Sequence, residues 1–378
     1  MSDIARVEIG RFDYDICGEF KFFNKDADGQ MRRPSVLVRL TDEDGVQGWG
    51  QAVPVPTWTY ETVESVQTTL EFYLAPAVLG ADPEGIEDVH RRMERVIRPG
   101  YTTGQPLAKA AIDLACYDLA GKQQDERTVN LLGGTRVESL QLNWTIASHD
   151  MAVVEQELER GKARGYTNFT VKLGSPQTPE YDLELVRKVK DFAPEGFLWA
   201  DANTGYDLDT VLEILPKLAD AGLEVLESPL PPTNIRGYQR LKRTNAVPIV
   251  MDEGMIAPEV VAEYISLDVF DGIAMKPARC AGLYPSQKII SLLQENGLMV
   301  LGSGLSDPDI SLAAAVHLYA WAGLQKPCAL NGPQFLCNTL TTDNFIPKSD
   351  RVFLPAGPGL GLRLDSHADA CLKIVAQS

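Results

Sequence analysis

VKLG (171–174), LWADAN (198–203), VLESP (225–229), PIVMDEG (248–254) and GIAMKP (272–277) follow one another along the chain, and each sets an ionisable residue just after a short apolar run. These residues are Lys172, Asp201, Glu227, Asp252 and Lys276, and the separations between them are 29, 26, 25 and 24 residues. Each interval is about the length of one strand, one helix and two short loops, the repeating unit of a parallel α/β barrel. The recurring position is then the carboxyl end of successive strands, where barrel enzymes build their active sites. Three carboxylates come to lie between two lysines.

Outward from this stretch the alternation of strand-like and helix-like segments continues. Runs at 141–147, 167–173, 197–201, 223–227, 247–251, 270–276, 298–302 and 328–331 read as strands. The last is short and weakly marked. Segments 151–164, 180–192, 207–221 and 309–321 read as helices between them. Upstream, 4–16 and 35–41 alternate like strands, and a third strand, VQGWGQA (46–52), follows the turn DEDG. Helical spacing then appears over 62–79, 88–98 and 106–122; the last has small residues that permit close packing and Gly121 to end it. After the barrel count is complete, the tail carries GPGLGL (357–362) and returns to strand-like sequence, as if rejoining the first region. The expected fold is α/β: a modified (β/α)8-type barrel at 133–345, with an α+β capping domain formed by residues 1–132 and the C-terminal segment 346–378.

Length and composition agree with this. A chain of 378 residues suits a barrel plus one further domain, and 44% hydrophobic with 23% charged residues describes a globular protein that needs no disulfides for its core. A net charge of −17 disfavours nucleic acid and anionic membrane as partners, because both require a basic face. The six cysteines show no C-x-x-C spacing and are expected to be mostly buried and inert, as in a reducing compartment. The amino terminus is charged where a signal peptide needs an apolar core, and no apolar run reaches spanning length, so the expected location is cytoplasmic.

Three carboxylates gathered at one place repel one another unless a cation holds them. Oxygen-only ligands favour a hard ion, and magnesium fits because it keeps positions for water or substrate oxygens. The competing reading makes Asp201, Glu227 and Asp252 helix caps or ion-pair partners. Lys172 and Lys276 flank the acids and, in a closed ring, face each other across them. A nearby positive charge and partial burial would move such an amine toward the neutral form, so that one lysine removes a proton beside a substrate carboxylate while the other delivers one.

Taken together, VKLG, ADAN, ESP, MDEG and AMKP, with GWGQA (48–52), AKAAIDLACYDLAGK (108–122) and GPGLGL, resemble the enolase superfamily over nearly the whole chain. The resemblance is to its muconate-lactonizing-enzyme subgroup, the mandelate racemase/muconate lactonizing enzyme family. It implies Mg2+ held by Asp201, Glu227 and Asp252, with Lys172 and Lys276 as the acid/base pair; a lysine or histidine base with magnesium stabilising an ene-diolate is the known pattern of such sites. It also implies a homo-oligomer. Of the DE pair, Asp252 matches the ligand position, and Glu253 is expected to point the other way along an extended strand end. The usual first lysine of Lys-x-Lys is replaced by Thr170, which offers a hydroxyl without the charge. His317 lies mid-helix in LAAAVHLYAW, a packing position rather than that of a histidine base.

The expected activity is abstraction of the α-proton of a small carboxylate, leading to racemisation, epimerisation or cycloisomerisation. A dehydratase using the same intermediate is the nearest alternative, and a non-catalytic barrel that binds a metabolite is the alternative from another class. Loops 18–33, 53–60, 302–307 and 331–335 are expected to set specificity. Phe22, Trp58 and Ser303 in these loops, with Thr170 and Asn203 at the barrel strand ends, are candidate substrate contacts, and Trp58, Phe22 and Phe23 suggest an apolar or cationic ligand portion.

Overall fold

The computed structural model describes residues 2–18, 22–23, 25, 28–100, 103–342 and 345–378. Three N-terminal strands, β1 (Ile4–Asp15), β2 (Arg32–Asp42) and β3 (Gln47–Ala52), form an antiparallel sheet. They are followed by helical segments at Val63–Thr69, Ile86–Val96 and Pro106–Gln124. The barrel sheet begins after β4 (Ser139–Gln141). Its parallel strands are β5 (Trp144–Ile146), β6 (Phe169–Lys172), β7 (Leu198–Asp201), β8 (Val225–Glu227), β9 (Ile249–Met251), β10 (Gly272–Met275) and β11 (Met299–Gly302), paired in sequence order. The eighth run, expected over 328–331, is reduced to two bridging residues. Cys328 pairs with Leu142 at one edge and Ala329 with Ser303 at the other, which brings the two ends of the sheet together.

Seven buried side chains fill the inside of this curled sheet, among them Phe197, Trp199, Val225, Val250 and Leu301. A larger apolar layer lies between the strands and the surrounding helices. Because the strands are parallel and in register, residues at their carboxyl ends share a level: Lys172 pairs with Asp201, and Asp201 with Glu227.

The long helix Pro106–Gln124 is buried from Pro106 through Gly121, wedged between the N-terminal sheet and the barrel. Its close approach to β3 needs glycine on the strand, since a Cβ at Gly50 would lie 1.8 Å from the Ala111 carbonyl oxygen. Gly121 does not end this helix as expected. The helix runs on to Gln124 and stops at Asp125, which is left-handed at φ 56°. Gly121 instead admits the tail, for a Cβ there would lie 2.6 Å from the Cα of Gly359. Buried Asp118 accepts hydrogen bonds from the Trp49 amide (2.8 Å) and the Leu360 amide (2.7 Å), so one carboxylate joins the GWGQA strand, the long helix and the GPGLGL tail. Beyond β12 (Arg351–Phe353), the final strand β13 (Leu372–Gln377) pairs antiparallel with β1.

The cysteines depart from expectation. All six are free, but only Cys116, Cys280 and Cys328 are buried. No helix among the described residues is long and apolar enough to cross a membrane.

His317 has the packing role its position suggests. Its Nδ1 accepts the Val129 amide (3.1 Å) and its Nε2 faces the Leu360 carbonyl (3.3 Å), an arrangement that suits the neutral ring with its proton on Nε2. Burial lowers its pKa to about 4. An unfolded histidine titrates near 6.5, so the unfolded chain binds the proton first as pH falls. The stabilisation is therefore complete above pH ~6.5 and disappears as pH drops toward about 4. By pH ~5 the loss amounts to about 2 kcal/mol. Urea unfolding of the parent and of His317→Gln at pH ~7 and ~5 is expected to show a pH penalty smaller by that amount in the variant.

Candidate active site

All five ionisable strand-end residues are buried, with exposures of 6% for Lys172, 2% for Asp201, 1% for Glu227, 2% for Asp252 and 3% for Lys276. The Lys172 ammonium lies 2.5 Å from Asp201 Oδ2. Lys276 lies 2.7 Å from Asp252 Oδ2 and 3.4 Å from Glu227 Oε1. The turns that follow the strands hold these groups in place through backbone conformations uncommon for side-chain-bearing residues. Asn203 and Thr204 after β7 have φ of 44° and 62°, and Ser228 after β8 has φ 42°. Such positions cost about 1–3 kcal/mol each and persist where the surroundings impose them. The Asn203 turn returns its own amide to Asp201 Oδ1 (2.8 Å), and Ser228 Oγ accepts the Asp252 amide (3.0 Å).

The electrostatics follow from the crowding. Burial, then the neighbouring charges of Asp201 and Asp252, push Glu227 well above the ordinary carboxylate range. For Lys276 burial works toward the neutral amine, yet Asp252 and Glu227 outweigh it and hold the amine protonated above the usual lysine value. This is opposite to the direction a neighbouring positive charge would give. Asp252 is itself lowered, because Arg279 and Lys276 overcome the cost of its burial.

A narrow cavity, with about 10 Å³ of room for the centre of a water molecule, lies over these strand ends. Lys172, Asp201, Glu227 and Lys276 line it, together with Thr170, Ser303 and Trp58. Asp252 and Asn203 stand behind that lining. Asp252 is clasped by Lys276, and Asn203 Nδ2 donates to Asp201 Oδ2 (2.9 Å). Phe22 stacks on Trp58 with ring centroids 4.5 Å apart and planes 7° from parallel. The same indole has Lys276 Nζ 5.8 Å and Arg279 Cζ 5.6 Å from its ring centroid, so its π system already serves the protein's own cations. Phe23 packs with Phe335. Glu19, Phe20, Lys21, Asn24, Asp26 and Ala27 of the expected specificity loop lie outside the described residues.

Arg279 and Thr145 give little signal in the sequence. Arg279 lies one turn of 3-10 helix beyond Lys276, and its guanidinium meets Asp252 Oδ1 at 2.5 Å with only 4% of the residue exposed. The spacing Lys-x-x-Arg was the available clue. Glu253 takes other partners than Asp252: its Oε1 accepts from Asn203 Nδ2 at 3.3 Å, whereas Asp252 meets Lys276 and Arg279, and Glu253 does not line the cavity. Thr145 and Asn331 complete the cavity wall. Replacing Arg279 by Met leaves Asp252 with Lys276 as its remaining close cation among the described residues. The expected loss of stability is about 3 kcal/mol, read from urea unfolding.

The family is decided by comparison. Residues 27–133 match the model of the mandelate racemase/muconate lactonizing enzyme N-terminal domain, and residues 152–368 match that of the enolase C-terminal domain-like family. This chain belongs to the mandelate racemase/muconate lactonizing enzyme family. Within the family, it is 34% identical over 335 residues to a chloromuconate cycloisomerase of Cupriavidus necator, covering 87% of this chain and 89% of that one. Muconate cycloisomerase 1 of Rhodococcus opacus is 28% identical over 369 residues, 97% of each chain. Among solved structures, 2-chloromuconate cycloisomerase from Rhodococcus opacus 1CP superposes with a TM-score of 0.87 at 26% identity, covering 98% of this chain and 99% of that one. N-succinyl Arg/Lys racemase from Bacillus cereus gives 0.89 over the full length of both chains, and at 23% identity that likeness speaks for the fold alone. This mandelate racemase/muconate lactonizing enzyme family member is thus an enolase-superfamily enzyme, and membership of the family implies a divalent metal.

Proposed function

We propose that this enzyme is a magnesium-dependent isomerase that removes the proton α to the carboxylate of a small acid and returns one to the ene-diolate so formed. The observation that carries this reading is the convergence of two buried ammonium groups, from the ends of β6 and β10, on one cavity whose other charged lining is carboxylate. Racemisation and epimerisation need both members of this pair; cycloisomerisation, in which ring closure onto a double bond itself generates the ene-diolate, needs only the ammonium that protonates it. An amine on one side takes the proton, and an ammonium on the other supplies one.

The donor set fits a hard divalent cation. Asp201, Glu227 and Asp252 offer oxygen alone, and the lysine ammonium groups already act as cations among them. Asn203 Oδ1 is buried without a hydrogen-bond partner beside Asp201. As the side chains stand, no three His, Cys, Asp or Glu side chains among the described residues are arranged to hold a metal, which accords with Asp201 and Asp252 each being taken up by a lysine. Bound there by Asp201, Glu227 and Asp252, Mg2+ would supply Lewis-acid stabilisation of the charge that develops on the substrate carboxylate.

The chain's own residues do the rest. Arg279 and Lys276 fix the Asp252 carboxylate from two sides, and Asn203 orients Asp201. Trp58, backed by Phe22, roofs the cavity and excludes water from the reacting carbon.

The test is isotope exchange. Single enantiomers of acyl-amino acids, dipeptides, proline derivatives and lactones are incubated with enzyme and Mg2+ in deuterated solvent. Exchange with inversion, or ring formation without loss of atoms, is the expected result. An unsaturated or keto product formed by loss of water would make the enzyme a lyase. Saturable binding with no exchange by any compound would make it a binding module.

A further inference from the structure

The cavity has two unlike halves. Its charged lining, Lys172, Asp201, Glu227 and Lys276, comes from the ends of β6, β7 and β8 and from the residue after β10. On the other side the polar groups are uncharged, Thr145 from β5, Thr170 from the inner part of β6, Ser303 just past β11 and Asn331 from the closing segment, and Trp58, Gly304 and Ala329 make up the remainder of the wall. Thr145 and Thr170 are partners in the parallel β5–β6 ladder, so their side chains stand next to each other on the inner face. The Thr145 hydroxyl accepts from Asn331 Nδ2 (3.3 Å), whose Oδ1 accepts in turn from the Ser306 hydroxyl (3.1 Å). The Thr170 hydroxyl is buried, with the residue 3% exposed, and has no hydrogen-bond partner.

An orphaned hydroxyl in a cavity wall is costly unless something completes it, and a ligand group is what this wall faces. The chemistry of that group follows from what surrounds it. Among the described residues the lining contains no Arg or His, and Lys172 and Lys276 are each paired with carboxylates at the other side. A second carboxylate placed against Thr170 would be stripped of water and met by neutral hydroxyl and amide groups, which do not repay the desolvation of an unpaired ion. A cationic group would meet the same neutral wall. A hydroxyl or an amide both donates and accepts, as does the threonine it would meet.

Resting on the reading of the site as an α-proton isomerase, we infer that the substrate is a small monocarboxylate whose second polar group is an uncharged hydroxyl or amide, held by Thr170, rather than a dicarboxylate. The curated relatives named above, by contrast, are cycloisomerases of muconate and chloromuconate.

Binding of matched acids to the full-length protein with saturating Mg2+, measured by calorimetry, decides the matter. Succinamate and 4-hydroxybutyrate are expected to bind about tenfold or more tightly than succinate. Thr170→Val, close in shape but without the hydroxyl, is expected to weaken those two ligands by about tenfold and to leave butyrate unchanged. Thr170→Lys is expected to invert the preference toward succinate. The inference is overturned if wild-type protein binds succinate as tightly as succinamate, if Thr170→Val preserves the full discrimination, or if no member of the set binds. Exchange of the α-proton separates the two levels. Discrimination among ligands without exchange by any competent acid defeats the isomerase reading and leaves the neutral subsite standing; exchange without discrimination does the reverse.

Discussion

Lys276→Ala and Lys172→Ala are each expected to abolish α-proton exchange for one enantiomer of a chiral substrate, by about a hundred- to ten-thousand-fold, while retaining part of the exchange for the other. The argument is geometric. Lys172 enters the cavity from β6 and Lys276 from just beyond β10, with β7, β8 and β9 between them, so the amines address opposite sides of whatever carbon lies over the acids. A base removes a proton from the side it faces. Removing one amine therefore silences one stereochemical entry, and overall racemisation fails in both variants because each lacks either the base or the returning acid. Monitoring deuterium incorporation by NMR from each pure enantiomer gives the result directly. Equal loss for both enantiomers in a single variant would show that only that lysine touches the proton. Unchanged exchange in the double variant would remove the mechanism altogether.

The second large effect concerns Glu227. Its carboxyl group is buried between Asp201 and Asp252, and burial with those two charges raises it well above the ordinary range. Glu227→Gln keeps the shape and removes the repelled charge. With a chelator present, the variant is expected to be more stable than the parent by about 1 kcal/mol. Added Mg2+ should reverse the order. A cation at a hundred times its dissociation constant stabilises the parent by about 2.7 kcal/mol, and a site lacking one of its three carboxylates should show little of that gain. Urea unfolding with chelator and with Mg2+ supplies the four numbers needed. If Glu227→Gln keeps the full Mg2+ response, the ligand assignment falls, whatever the activity.

What the sequence disclosed of this protein follows from one regularity. Strand-end positions in a parallel barrel recur once per unit, and an ionisable residue at each of them is visible as a period of 24 to 29 residues. Lys172, Asp201, Glu227 and Lys276 were readable for that reason, and they line one cavity. The eighth strand was weakly legible because it consists of two bridging residues, too few to show a pattern. Arg279 escaped because a 3-10 turn, not a strand, brings it back onto Asp252. Thr145 is an uncharged residue on ordinary strand sequence, and nothing in composition or spacing marks it, whereas Asn331 was reached only as a member of the loop 331–335. Gly121 reads as a helix stop, but it makes room for a tail more than two hundred positions away, a contact invisible to any local rule.

The pairing of Arg6 with Gln377 has a consequence for the order in which the protein can be made. Synthesis proceeds from the amino terminus, and domains generally fold as units while it does so. Here β1 emerges first, yet its neighbour β13 leaves the ribosome only after every barrel strand has been translated. Throughout that interval one flank of β1 presents unpaired amide and carbonyl groups, an open template for another nascent chain. The barrel is thus free to assemble early, whereas the sheet beside it stays incomplete until β13 has been made, and that delay is where chaperone engagement or mispairing should concentrate.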